Sequence, residues 1–412
     1  MFGKKQVKID TDPKKIDELL SRSVKEILPS REDLKTRLLS GERLKIYIGT
    51  DATGSSLHLG HATNYLILEK FRALGHEVVF LIGDFTSRIG DPTDKGAARI
   101  PLSREQVQQN TKTWLKQIQP IIDINNKTNP VKVLYNHDWL AALTFEEILA
   151  LSSHFTVQQM IERDMFDKRL QEGKPIYLHE FFYPLMQGYD SVAMNVDIEM
   201  CGNDQKFNAL VGRTLLKKIN NKEKFVFITT LLENPKTKEK MMSKSQGTGV
   251  YLDASAEDMY GGVMAQPDEN ISQLFIDATK LSLEEIGNIL HAQDPKTQKM
   301  RLAHEVVVIY HGVHRADEAQ AHWEKTFSKK EIPEDTKKVH VKVKIPLVEV
   351  LIKQGLVKSK TEFRKLVEEG AIKFHGEIEE RKIIDPNSLV EESGALKIGK
   401  RRFLKIIVTK EK

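Results

Sequence analysis

Two histidines, His58 and His61, stand three residues apart in SSLHLGHATNYLIL (residues 55–68), at the mouth of an apolar run. A pair at this spacing can ligate a metal, sit packed in a helix, or hold an anion. Three residues is nearly one helical turn, so both imidazoles face the same side. A metal needs a third ligand, and HxxH lacks the HExxH glutamate that would supply a base. In isolation such a pair is more often structural. Here it follows a strand-like segment and a Gly/Ser turn, and it opens a helix whose first N–H groups and partial positive charge suit phosphate. Gly60, between the two histidines, lets a ligand lie close to the backbone. The residues suit an anion-binding corner better than a metal site.

Two other stretches carry chemistry. KEKMMSKSQGTG (238–249) is a basic, Gly-flanked loop with Lys244 between Ser243 and Ser245; alone it reads as a solvated loop. In YPLMQGYD (183–190), Tyr183, Gln187 and Asp190 are spaced by four and then three, so they share one helix face, polar amid apolar neighbours. The bland alternative is a surface stripe, and the flanking FFYPLM argues against it.

The elements that position these residues read as an α/β chain. KIYIGTD (45–51) is a buried strand ending in a turn, a helix follows from about Leu57, and EVVFLIGD (77–84) is the next strand, the pattern of a βαβ unit. The loop TSRIGDPTDKGAAR (86–99) follows that strand at its carboxyl end, where ligands bind in open α/β sheets. Residues 13–41 read as helices with a stop at Gly41. Residues 104–190 read as mostly helical around a strand VKVLYN (131–136), and strand signals return at NVDIEMCG (195–202) and KFVFITTLL (224–232). Residues 256–330 read as helices with breaks at Pro267 and Pro295. The charged stretch SKKEIPEDTKK (328–338) reads as a linker. The expected division is 1–255, 256–330, a linker at 331–344, and a small module at 345–412.

Bulk numbers set bounds. The chain has 412 residues, 40% hydrophobic and 29% charged, ordinary for a soluble globular protein of two or three domains. No apolar stretch approaches the roughly 20 residues a membrane helix needs, and MFGKKQVKIDTDPKK lacks the apolar core of a signal peptide. The single cysteine, Cys201, excludes an intrachain disulfide and a Cys-based zinc site. A cytoplasmic protein without a membrane partner is expected. The net charge is +5, yet residues 340–412 hold 17 basic and 11 acidic side chains, so the surplus sits in the tail. A small basic module on a nearly neutral body suits a polyanionic partner docking at one end.

HLGH (58–61) resembles the HIGH signature of class I aminoacyl-tRNA synthetases, and MMSKS (241–245) resembles their KMSKS signature, in the same order and βαβ setting. The first KMSKS lysine is Met241 here, with Lys240 just before it. YIGTDATGSSLHLGH (47–61), IGDPTDK (89–95), YPLMQGYD and GNDQ (202–205) resemble, over nearly the whole chain, the bacterial tyrosyl-tRNA synthetases. That resemblance implies a Rossmann-like parallel-sheet catalytic domain with a helical dimerisation insertion after residue 104, a helical tRNA-binding domain, and a C-terminal S-four-type RNA-binding domain.

It also implies roles. Asp190 and Tyr47 would hydrogen-bond the phenol of L-tyrosine. Tyr183, Gln187 and Asp91 would hold its α-ammonium, since one carboxylate and neutral acceptors suit a buried cation. Asp204 and Gln205 would serve the adenosine ribose and the substrate carboxylate. His58, with Thr53, would donate to the ATP phosphates, and His61 would support the nucleotide. Gly49, Asp51, Gly60 and Gly202 would line the ATP site. Ser245 would also bind ATP, and Lys244, Lys95 and Arg99 would close over pyrophosphate, with Mg²⁺ arriving on ATP and no dedicated metal cage. Ser359, Lys360, Arg364, Lys365, Arg401 and Arg402 would contact tRNA(Tyr), and the enzyme would be a homodimer. Three rivals fit less of the chain. A small-molecule nucleotidyltransferase would not explain the YPLMQGYD helix or the basic tail. A non-catalytic RNA-binding descendant would show damaged signatures. A tryptophanyl-tRNA synthetase would have no reason to keep Asp190 beside Tyr47.

Overall fold

The computed structural model describes residues 7–89, 103–161, 164–233, 249–325, 336–376, 380–399 and 402–409. Two compact units emerge, Met1–Gln320 and Ala321–Lys412. The first is built on six strands: β1 (Val24–Leu28), β2 (Lys45–Thr50), β3 (Glu77–Ile82), β4 (Lys132–Tyr135), β5 (Ile198–Gly202) and β6 (Phe225–Thr229). Their order is β1-β6-β5-β2-β3-β4, parallel throughout except for β1, which runs antiparallel to β6. β3, β5 and β6 are almost wholly buried, and β2 is buried at Ile46–Ile48, which is why they read as apolar runs. From β2 the sheet grows through β3 to β4 on one side and through β5 to β6 on the other. The crevice between β2 and β5, at their carboxyl ends, is therefore the switch point where α/β sheets bind ligands.

β1 corrects the helical reading of residues 13–41. SVKEILPS fits a three-and-four spacing, but its backbone is completed by β6, with Val24 opposite Thr229 and Leu28 opposite Val226. An edge strand paired with a segment so far along the chain has no local signature.

Helices cover the sheet. Leu59–Ala73 buries Leu59, Ala62, Tyr65, Leu68 and Phe71. Phe182–Met194 packs along Lys206–Asn220 at a glycine contact, where a Cβ on Gly188 would lie 3.3 Å from Gly212 Cα and 2.9 Å from a Leu215 methyl. Five further helices, Ala256–Met264, Ile271–Ala278, Leu283–Ala292, Pro295–His311 and Val313–Trp323, follow. Pro295 starts its helix at the first turn, where a missing N–H costs nothing. These helices up to Gln320 pack with the sheet in one unit. The buried Arg22 ties them down by donating to the carbonyls of Ile276 at 2.8 Å, Thr279 at 2.6 Å, Phe275 at 3.2 Å and Leu281, satisfying the end of Ile271–Ala278.

The second unit holds β7 (Lys338–Lys342), β8 (Ile372–His375), β9 (Glu380–Lys382), β10 (Gly394–Ile398) and β11 (Arg402–Thr409) in the order β7-β11-β10-β8-β9. Leu347–Lys353 and Lys360–Glu368 pack on it around Leu351, Phe363, Ile372, Leu396, Ile398 and Leu404. β7 lies where the sequence reading placed a linker. Its alternating VHVK pattern finds a parallel partner in β11, so Val341 is buried while Lys338 and Lys342 stay exposed.

Candidate active site

After β2 the chain turns through Asp51, Ala52 and Thr53, whose N–H donates to Asp51 O at 2.8 Å, and enters Leu59–Ala73 with His58 at the N-cap. The backbone N–H of His58 donates to Nδ1 of His61 at 3.2 Å, and the two rings lie 3.9 Å apart. An Nδ1 that accepts places the ring proton on Nε2 of His61, at a helix N-terminus. Both histidines and Gly60 are part-exposed and Thr53 is exposed. Among the described residues no group of three or more His, Cys, Asp or Glu side chains is arranged to hold a metal.

The histidine turn is strapped to a distant segment. Leu59 N donates to Val250 O at 3.0 Å and Leu252 N to Leu57 O at 2.9 Å, bracketing an antiparallel bridge between His58 and Tyr251. Ser56 Oγ adds a bond to Asp253 at 2.9 Å. The chain that follows residue 248 is thus anchored at the first signature. Lys240, Met241, Lys244 and Ser245 of the second signature lie outside the described residues, as do Asp91, Lys95 and Arg99.

The polar face of Phe182–Met194 looks onto the ends of β2, β3 and β5. Asp190, 3% exposed, accepts from Trp139 Nε1 at 2.8 Å and from Asn136 Nδ2 at 3.4 Å. Burial pushes its carboxyl well above the usual range, against the pull of the Trp139 and Asn136 bonds. Tyr47, wholly buried in β2, pairs its hydroxyl with Ser191 Oγ at 2.9 Å, and burial raises its phenol in turn. Tyr183 donates to Asp51 Oδ2 at 2.9 Å, and Thr86 donates to Asp51 Oδ1 at 2.7 Å. Gly83 makes room for this carboxylate: a Cβ there would stand 1.9 Å from Asp51 Oδ1. Gln187 Nε2 donates to Glu199 at 3.0 Å, while its Oε1 accepts from Asn208 Nδ2 at 2.9 Å.

At the end of β5 a tight turn carries Gly202, Asp204 and Gln205. A Cβ on Gly202 would meet Asp204 Oδ1 at 2.7 Å, and Gln205 Oε1 accepts from Asn208 at 2.8 Å. Gly49 is exposed at the end of β2, and a Cβ there would find only ordinary contacts at 3.8 and 3.9 Å. The fold therefore gathers Tyr47, Asp51, His58, His61, Tyr183, Gln187, Asp190 and Gln205 from four segments around the carboxyl ends of the central strands β2 and β5. It also recruits Thr86, Asn136, Trp139, Ser191, Glu199, Asn208 and Lys224, none of which the sequence reading named. Only Glu199 carried a signal, as a charged residue inside an otherwise apolar strand.

In the second unit Ser359 caps Lys360–Glu368 through the N–H of Glu362 at 3.2 Å, and Lys360, Arg364 and Lys365 are exposed on that helix. Arg402 is committed elsewhere, to Leu356 O and to Glu362 at 3.0 Å. Arg401 lies outside the described residues.

The family model described as tRNA synthetases class I (W and Y) matches residues 39–328. A tyrosine–tRNA ligase of Carboxydothermus hydrogenoformans is 40% identical over 410 residues, covering 95% of this chain and 98% of that protein. One from Aquifex aeolicus is 40% identical over 392 residues, covering 94% and 97%. Among solved structures, a C-terminally truncated mitochondrial tyrosyl-tRNA synthetase of Aspergillus nidulans superposes with a TM-score of 0.65 at 24% identity, covering 76% of this chain and 94% of that one, a likeness of fold.

Proposed function

The chain belongs to the tyrosyl-tRNA synthetases of class I, and on that premise we propose how its residues divide the work. The activity is tyrosine–tRNA ligation with ATP as co-substrate. The tyrosine carboxylate attacks the α-phosphorus of ATP, pyrophosphate leaves, and the 3′-terminal ribose of tRNA(Tyr) takes the tyrosyl group from the adenylate. A carboxylate is already a nucleophile, so the first step needs positioning and charge stabilisation rather than a general base.

The observation that supports the assignment most is Asp190, a carboxyl group 3% exposed in a pocket lined by Tyr47 and Trp139. A buried carboxylate needs donors, and a phenolic O–H supplies one that an unsubstituted ring lacks. Tyr183 donates its proton to Asp51, so towards an α-ammonium its oxygen acts as an acceptor. Gln187 Oε1 is a second acceptor and Asp91 the third. Gln205 and Asp204 serve the substrate carboxylate and ribose. His58, Thr53 and the Nε2–H of His61 donate to the phosphates, and Lys244, Lys95 and Arg99 close over pyrophosphate. Mg²⁺ would arrive with ATP and would supply charge neutralisation on the triphosphate.

The working enzyme is a homodimer in the cytoplasm, where ATP and tRNA are at hand. Its interface is the helical insertion, where Phe145 and Leu178 are 75% and 73% exposed and Leu149, Val157, Leu170 and Tyr177 are exposed with them. Residues 256–330 approach the anticodon arm, and 345–412 grip tRNA through Ser359, Lys360, Arg364 and Lys365. ATP–pyrophosphate exchange with tyrosine, tryptophan and phenylalanine added singly tests the core of this reading. Exchange stimulated by tyrosine alone is expected; exchange driven equally by phenylalanine would remove Asp190 from the role of phenol acceptor.

A further inference from the structure

Beneath the proposed tyrosine pocket lies an ion pair that the reaction as described does not use. Glu199 of β5 and Lys224, the residue before β6, bond directly to each other with side chains 2% and 0% exposed. Gly212 makes the room: a Cβ there would stand 2.6 Å from Lys224 Nζ and 3.3 Å from Glu199 Oε2. Taking two charges out of water is expensive, and an apolar pair of similar volume is often more stable. Stability alone is a weak reason for these two residues to be here.

What the pair touches gives a better one. Glu199 Oε1 accepts from Gln187 Nε2 at 3.0 Å. Glu199 Oε2 takes Lys224 and, at 3.3 Å, the Ser191 hydroxyl, and Lys224 also donates to Ser191 Oγ at 2.9 Å. Ser191 in turn holds the Tyr47 hydroxyl at 2.9 Å. A carboxylate can only accept and an ammonium can only donate. Their polarities therefore dictate those of their neighbours. Gln187 must turn its NH₂ toward Glu199, which leaves its carbonyl oxygen on the side of Asn208 and the pocket. A neutral amide at position 199 would bond Gln187 in either sense and leave only the Asn208 amide, itself reversible, to set its direction.

We infer that Glu199 and Lys224 are positioning residues for tyrosine activation: the buried pair locks the Gln187 amide with its oxygen toward the α-ammonium. This rests on the proposal that Gln187 binds the α-ammonium.

The test is a cycle on tyrosine kcat/KM in ATP–pyrophosphate exchange, using the full-length protein. E199Q/K224M removes both charges at nearly constant volume, so neither is left buried alone. It is compared with wild type, and the same two changes are made in a Q187M background. Loss of an orienting bond to a charged group predicts a fall of roughly tenfold to a hundredfold in tyrosine kcat/KM for E199Q/K224M, carried by KM for tyrosine. KM for ATP and the melting temperature stay close to wild type. In the Q187M background the same pair of changes costs less than about twofold, because the group it orients is gone. Equal losses in the two backgrounds, or unchanged tyrosine KM in E199Q/K224M, overturn the inference while leaving the role of Gln187 intact. A Q187M enzyme with wild-type tyrosine KM overturns the Gln187 assignment itself, and the inference with it.

Discussion

Replacing Trp139 by Phe removes one N–H from the site and keeps an aromatic ring. In the folded protein that N–H lies 2.8 Å from Asp190 Oδ1, and the other donor, Asn136 Nδ2, is long at 3.4 Å. Asp190 is 3% exposed, so solvent does not replace the lost bond. A hydrogen bond to a charged group contributes about 1.5–3 kcal/mol, which is roughly a 10- to 150-fold fall in tyrosine kcat/KM if it is felt in the bound state. The titration moves as well. Burial already raises the Asp190 carboxyl, and Trp139 is the largest influence opposing it. Without that donor the carboxyl rises further, the ionised form that accepts from the substrate phenol is lost at higher pH, and the acid limb of the profile moves toward neutrality. The assay is tyrosine-dependent ATP–pyrophosphate exchange across pH, with thermal melts alongside, because Trp139 also packs against the core cluster that contains Tyr47, Val79 and Leu81. A W139F enzyme with wild-type tyrosine kcat/KM and an unmoved acid limb would refute the argument, even if its melting temperature fell.

Other outcomes follow from single contacts. His76 is buried with its imidazole pushed down to about 4, by burial first and then by Arg43, so the folded state binds fewer protons than the unfolded one below pH 6.5. Its contribution is complete above that pH and is lost as pH falls toward 4, about 3 kcal/mol in all. Urea midpoints at pH 7 and 4 should therefore converge in H76Q relative to wild type, and an identical pH dependence in the two proteins would exclude His76 as its source. G83A puts a Cβ 1.9 Å from Asp51 Oδ1 and 2.3 Å from Thr86 Oγ1. It should break the Thr86–Asp51–Tyr183 chain and raise tyrosine KM on the order of tenfold, a result that steady-state kinetics would contradict by showing no change. Lys360, Arg364 and Lys365 changed together to Ala should lower the slope of log Kd for tRNA against log salt by about two to three; an unaltered slope would place the phosphate contacts elsewhere. F145D/L178D puts charges on the exposed face of the insertion and should give a monomer by light scattering where wild type gives a dimer, and a dimeric variant would move the interface.

The features legible in the sequence share one property, that their parts lie close together along the chain. His58 and His61 are one helical turn apart, and Tyr183, Gln187 and Asp190 lie on one helix face, so 3.6-residue periodicity alone brings each group together. β2 and β3 were readable because strands buried on both faces are apolar throughout. Two strands were misread for the converse reason. β1 is completed by β6 and β7 by β11, and neither pairing leaves a mark within a few residues of the strand it completes.

The sequence by itself determined the signatures, the αβ alternation that carries them, and the basic tail, because each depends on residue type and short-range spacing. The tertiary structure decided what surrounds each signature group. Trp139 reaches Asp190 across 51 residues, Lys224 reaches Glu199 across 25, and Asp253 reaches Ser56 across 197. Sheet order sets these contacts. β5 lies beside β2 although some 150 residues separate them, so Glu199 stands opposite Tyr47 in register. Which donor satisfies a buried carboxylate, and hence how that carboxylate titrates, follows from that register and from the depth at which the sheet places it.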